Sequence, residues 1–149
     1  LMLVKVAALF HDSGFLNKYQ NNEAEGANLA KRELPRYGFT DSQVEIVEGM
    51  ILATKIPQDP KNRLEEVLCD ADLDYLGRSK EEFDIISDSL AQELVDMKLL
   101  KNLNQWDPIQ IKFLEAHKYF TKTCVKTRRA GKIERLREIK ARLIGPNVE

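Results

Sequence analysis

The chain holds two histidines, His11 and His117, and the first is followed at once by an acid, Asp12. This pair closes the most apolar segment of the sequence, LVKVAALF, and Ser13-Gly14 then breaks it. At helical spacing His11 continues the stripe of Val4 and Ala7, which turns its imidazole toward the core side. Asp12 lies ~100° further round, and at a fraying helix end both side chains can reach one point. A carboxylate buried there needs a counter-charge, and a metal ion supplies one.

A second acidic feature is Asp70-Ala71-Asp72-Leu73-Asp74. Asp70 and Asp74 continue Glu66 as a polar, solvated helix stripe, whereas Asp72 falls four after Leu68 and four before Leu76, on the apolar stripe. The plainer reading of Asp72 is a pairing with a buried base or a backbone amide. Together with His11 and Asp12 it gives a mixed nitrogen and oxygen donor set, which suits Mn, Fe, Zn or Mg without choosing among them. His117, four after Phe113 and three before Phe120, reads as a hydrogen-bonded core histidine. Cys69 has no base nearer than Arg63 or Arg78 to stabilise a thiolate and reads as a small buried residue.

The elements that must position these groups are helices. The first runs to Ser13-Gly14 and opens without a cap inside the apolar run Leu1-Met2-Leu3, as a helix cut from a longer one would. A second spans about 23–37, ended by Gly38. A third is capped by Asp41, carries Val44, Val47 and Ile51, and is closed by Pro57 and Pro60. The fourth starts near Asn62 and continues through Leu64, Val67, Leu68 and Ala71 to Leu76-Gly77. Ser79 and Glu82 form a capping box for a long helix with Phe83, Ile86, Leu90, Leu94 and Met97 on its stripe. Asp107-Pro108 starts another, with the acid at N-cap and Ile109, Phe113, Ala116 and Phe120 facing inward; Trp106 anchors its start. The last covers 132–144 and stops at Gly145-Pro146. Period-two alternation and hairpin turn signals are lacking. The expectation is an all-α bundle of about six or seven helices, one domain over 1–145 with a tail at 146–149.

Composition sets the outer limits. At 149 residues and 43% hydrophobic, the sequence is long enough for a core and too apolar for a disordered chain. Its longest apolar run, Val6 to Phe10, is far short of the ~20 residues a membrane helix needs. Two cysteines make no disulfide framework, so a cytoplasmic location is expected. With 23 basic against 24 acidic residues the net charge is −1, which argues against a nucleic-acid partner. The charge is uneven, however: 59–96 is strongly acidic and 118–142 strongly basic. These read as solvated faces that attract each other, or the basic end as a contact for an anionic partner or membrane surface.

Four segments, AALFHDSGF (7–15), NEAEGANLAKREL (22–34), MILATK (50–55) and CDADLDYLGR (69–78), together resemble the HD-domain superfamily of metal-dependent phosphohydrolases. WDPIQIKFLEAHKYFT (106–121) is similar to a bacterial branch of predicted HD phosphohydrolases. The resemblance implies an HD-like helical bundle in which His11, Asp12 and Asp72 hold a divalent metal. It also implies hydrolysis of a nucleotide or another small phosphate ester by a metal-activated water. Asp12 would orient that water, Lys55 would neutralise a substrate phosphate, and Glu23 would serve as general acid or base, or bond to a ligand from outside. Their plainer readings are an exposed lysine and a helix N-terminal acid favoured by the macrodipole. Relatives complete the metal with a histidine on an earlier helix, so an N-terminal helix beyond Leu1 is expected. Asn22 and Thr54 stand where many relatives carry further histidines, which favours one metal over two. The rival expectation is a catalytically degenerate HD-like module that senses a nucleotide; a plain helical interaction domain using the basic tail, and a homodimer, are also left open.

Overall fold

The computed structural model describes residues 1–144. All regular structure among them is helical, with eight α-helices, four short 3₁₀ turns and no strand. No helix among the described residues is long and apolar enough to cross a membrane. The chain divides into two compact units, Leu1–Leu73 and the part from Asp74 onward.

The first unit holds α1 (Met2–Phe10), α2 (Asn22–Glu33), α3 (Asp41–Ala53) and α4 (Arg63–Asp72). Val44, Val47 and Ile51 form the buried stripe of α3 as their spacing predicts, joined by Met50. They pack with Ala7 of α1, Ala27 and Ala30 of α2, and Leu68 of α4. Each large side chain buried this way contributes roughly 2 kcal/mol. The helix bounds differ from the sequence reading in identifiable ways. Thr40, not Asp41, caps α3, through a box with Gln43. Helix α2 stops at Glu33 because Pro35 lacks the amide that would continue it, and a 3₁₀ turn, Leu34–Tyr37, carries the chain to Gly38.

Helix α4 stops at Asp72 rather than running to Gly77. Its N-cap is Asn62, whose Oδ1 accepts from the Leu64 and Glu65 amides. Its buried side carries Glu65, Leu68 and Cys69, while Leu64 and Ala71 are exposed. Glu65 is buried usefully, accepting from the Lys61 amide and the Asn62 side chain and so fixing the helix entry. Asp70 corrects the sequence reading: it is 1% exposed, not solvated. Both α1 and α3 pack on α4, so more than one of its faces is covered.

The second unit holds α5 (Lys80–Asp96), α6 (Trp106–Ala116), α7 (Lys122–Thr127) and α8 (Arg129–Ile144). Helix α7 is the element that raises the count above the expected six or seven. The expected continuation to Phe120 ends at Ala116, and Thr121 caps α7 by accepting from the Cys124 amide. The Ser79–Glu82 capping box is present, but the N-cap position of α6 falls on Gln105 rather than Asp107, with no side-chain bond to the helix amides. Ile86, Met97 and Ile109 are exposed, and the inward faces of α5 and α6 include Ser87 and Gln110 instead. There the Ser87 hydroxyl accepts from the Trp106 indole and the Gln110 amide. Asp74 pairs with Arg78 and with Arg128, one direct link between the acidic and basic segments. The expected stop at Gly145-Pro146 and the tail lie outside the described residues.

One close approach governs the first unit. After α1 the chain passes His11 and Asp12 into a 3₁₀ turn, Ser13–Leu16, and Gly14 lies directly against the start of α2. A Cβ at Gly14 would sit 1.8 Å from the Asn22 carbonyl oxygen. Backbone would have to move to admit it, so Gly14→Ala is expected to lower stability by about 3 kcal/mol. A urea melt of the variant indistinguishable from that of the parent would contradict this packing.

Candidate functional site

His11 is the C-cap of α1, still in helical conformation, with its amide bonded to the Ala7 carbonyl. Its ring is fixed through Nδ1, which lies 2.8 Å from the Ala8 carbonyl oxygen. A carbonyl can only accept, so Nδ1 carries the proton and donates, and Nε2 points away from the helix. Nε2 is 3.2 Å from Asp12 Oδ2 and 3.4 Å from Asp72 Oδ1. The His11 and Asp72 side chains are mostly buried, at 19% and 21% exposure. The Asp12 side chain is 62% exposed, which corrects the expectation of a buried carboxylate there. The turn itself is tied by the Ser13 hydroxyl, which donates to the Phe10 carbonyl at 2.6 Å.

Asp72 arrives from the last residue of α4. Its second oxygen accepts from Gln58 Nε2 at 3.1 Å, and the same nitrogen lies 3.3 Å from the Cys69 carbonyl oxygen. Gln58 therefore orients the carboxylate that meets His11. Sequence reasoning missed it, and no local signal marks it, because its role depends on a contact between a loop and a helix end.

The electrostatics follow from this arrangement. The hydrogen bond that His11 donates to the Asp72 carboxylate raises the His11 pKa from 6.5 to about 9 against the opposing effect of partial burial, with the Ala8 carbonyl and the charges of Asp12 and Asp72 adding to the rise. The pocket thus favours a positive charge at Nε2. Cys69 behaves as expected: it is buried, its thiol donates to the Ala53 carbonyl at 3.1 Å, and burial pushes its pKa up to about 12, with Asp72, Asp70 and Glu65 contributing.

One imidazole nitrogen and two carboxylates are donors of the right kind for a divalent cation, and a carbonyl that holds the Nδ1 proton fixes the ring orientation and leaves Nε2 free to bind a metal. The set falls short of a cage: among the described residues, no group of three or more His, Cys, Asp and Glu is arranged to hold a metal ion. Water would have to complete the coordination, with the imidazole exchanging its ion-pair contacts for the metal.

The remaining residues of interest do not join this cluster. Glu23 is in the first turn of α2, and Asn22, with its carboxamide in the orientation its neighbours demand, donates to both Glu23 carboxylate oxygens. Lys55 is exposed and donates to Asn21 Oδ1 at 3.1 Å. It lines a cavity of about 430 Å³ with Ile56, Pro57 and Asp59, to which His11, Asp12 and Asp72 do not contribute. Neither Glu23 nor Lys55 has a hydrogen bond or ion pair to the His11 cluster among the described residues. Thr54 is buried and its hydroxyl donates to the Ile51 carbonyl at 2.7 Å. His117 lies outside the cluster, in the second unit, as the extended C-cap of α6 rather than on a packed helix face, and its ring contacts Phe113 and Tyr119.

No family model matches this chain, and no curated protein or solved structure matches it.

A folded-state pKa raised from 6.5 to about 9 gives stability that is fully present below about pH 6.5 and lost as pH rises through 9. In metal-free protein the His11 ring is expected to titrate well above 6.5 by NMR. Asp72→Asn should bring that midpoint back toward 6.5; an unmoved midpoint would show that Asp72 is not the partner.

Proposed function

We propose that the first unit is a divalent-metal site of the HD type serving hydrolysis of a nucleotide or another small phosphate ester. The observation that carries this reading is the convergence on one imidazole nitrogen of Asp12 and Asp72, the residues in which the sequence resembles that superfamily. Once bound, a divalent ion supplies polarisation of a phosphoryl oxygen and acidification of a water.

The residues divide the remaining work. His11 offers the Nε2 lone pair while the Ala8 carbonyl keeps the proton on Nδ1. Asp72, held by Gln58, contributes one carboxylate oxygen. Asp12, the most exposed of the three, faces the side from which water and substrate arrive and orients the attacking water. Glu23 protonates the leaving oxygen or takes up the proton of the water. Lys55 balances charge on the substrate phosphate from the end of α3, its ammonium released from Asn21.

A second reading is favoured by Thr54, whose hydroxyl is committed to the backbone, and by the incomplete donor set. In that reading the unit binds a nucleotide without cleaving it and acts as a sensor.

Purified protein equilibrated with Mn²⁺ and desalted is expected to retain about one equivalent, and Asp72→Ala and Asp12→Ala to retain none. Gln58→Ala, which leaves the ligands in place, should weaken binding by about 10-fold to 100-fold. Phosphate release from nucleotides and p-nitrophenyl phosphate should follow metal content. Retention of a nucleotide with no phosphate release under any of Mn²⁺, Fe²⁺, Zn²⁺ or Mg²⁺ would select the sensor, and equal metal in parent and both alanine variants would remove both readings.

A further inference from the structure

The second unit contains a cavity of about 430 Å³, within the size range of small-molecule sites. Leu114, Ile133 and Leu136 supply an apolar wall, and Lys118, Arg129 and Lys132 supply positive charge. The one carboxylate in its lining, Glu115, is engaged by Lys140 at 2.6 Å. Lys132 is the unusual member: it is buried at 9% exposure, and among the described residues no carboxylate pairs with it. Its ammonium donates instead to the Leu114 and His117 carbonyls. An ammonium has three donors, so one remains for a ligand.

The charge is also placed against the local field. Arg129 and Lys132 open α8, whose first turn carries no acid, although the start of a helix favours negative charge. Burial and the neighbouring Arg129 both lower the Lys132 pKa. An anion seated between the two bases would relieve the repulsion, the missing counter-charge and the helix dipole at once.

We propose that this cavity binds a small amphiphilic anion, its oxyanion head between Lys132 and Arg129 and its apolar body against Leu114, Ile133 and Leu136. The head is a carboxylate or a phosphate, both of which match an ammonium beside a guanidinium fork. None of the residues that line it belongs to the His11 cluster, and the proposal does not depend on the metal-site reading.

The test is a fluorescence titration of the full chain with anilinonaphthalene sulfonate, an apolar ring system bearing one anionic head. Saturable binding is expected, displaced by decanoate and decyl phosphate but not by decyltrimethylammonium; the more effective of the two anions identifies the head. Lys132→Met should weaken binding by about tenfold, as for loss of a charged hydrogen bond, and Arg129→Gln by about threefold. Ile133→Trp, which fills the cavity, should weaken it as well. Should Lys132→Met fail to fold for want of its two carbonyl contacts, Arg129→Gln and Ile133→Trp, both at exposed positions, decide the matter. Displacement by the cation as readily as by the anions, or parental affinity in both of those variants, would overturn the proposal.

Discussion

A single imidazole nitrogen lodged between two carboxylates is the constraint around which the first unit is arranged. It joins the end of α1 to the end of α4, and it is satisfied only if both helices stop where they do. Helix α1 must finish at Phe10 so that His11 turns Nε2 outward while Nδ1 stays on the Ala8 carbonyl. The chain must then pass Gly14 against Asn22 with no side chain in the way. Helix α4 must finish at Asp72, where Gln58 can reach the far carboxylate oxygen. A site preferring positive charge follows from these backbone conditions, and either a proton or a metal ion can satisfy it.

Much of this was legible in the sequence, for a physical reason. His11 lies four after Ala7, the buried residue of α1, and Asp72 lies four after the buried Leu68, so helical periodicity alone puts both on core-facing stripes. Asp70 was misread because the stripe argument assumes one covered face, whereas α1 and α3 both pack on α4. Ile86 and Ile109 were misread for a different reason. The inward faces of α5 and α6 include Ser87 and Gln110, whose hydrogen bonds make polar groups acceptable inside, and hydropathy patterns cannot register that compensation. Helix α7 was overlooked because its only start signal is the lone cap Thr121. Gln58 could not be found at all: its partner is fixed by the fold, not by spacing.

The two units present contrasting electrostatics. The first gathers carboxylates around a histidine and favours a cation; the second buries an ammonium in a cavity whose one carboxylate among the described residues, Glu115, is already paired. In each, the surroundings move the pKa of an ionisable group, and such groups gather at functional sites. The His11 pairing rests on where α1 and α4 end, and the second cavity on a buried ammonium with which no carboxylate pairs among the described residues.

The central claim, that His11 and Asp72 interact directly, is tested most directly by a double-mutant cycle. Stabilities of the parent, His11→Gln, Asp72→Asn and the double variant would be measured by urea unfolding of metal-free protein at neutral pH. The account predicts a coupling energy of about 1 to 3 kcal/mol, as for a partly buried charged hydrogen bond. Single-variant effects that add to within roughly 0.5 kcal/mol would contradict it.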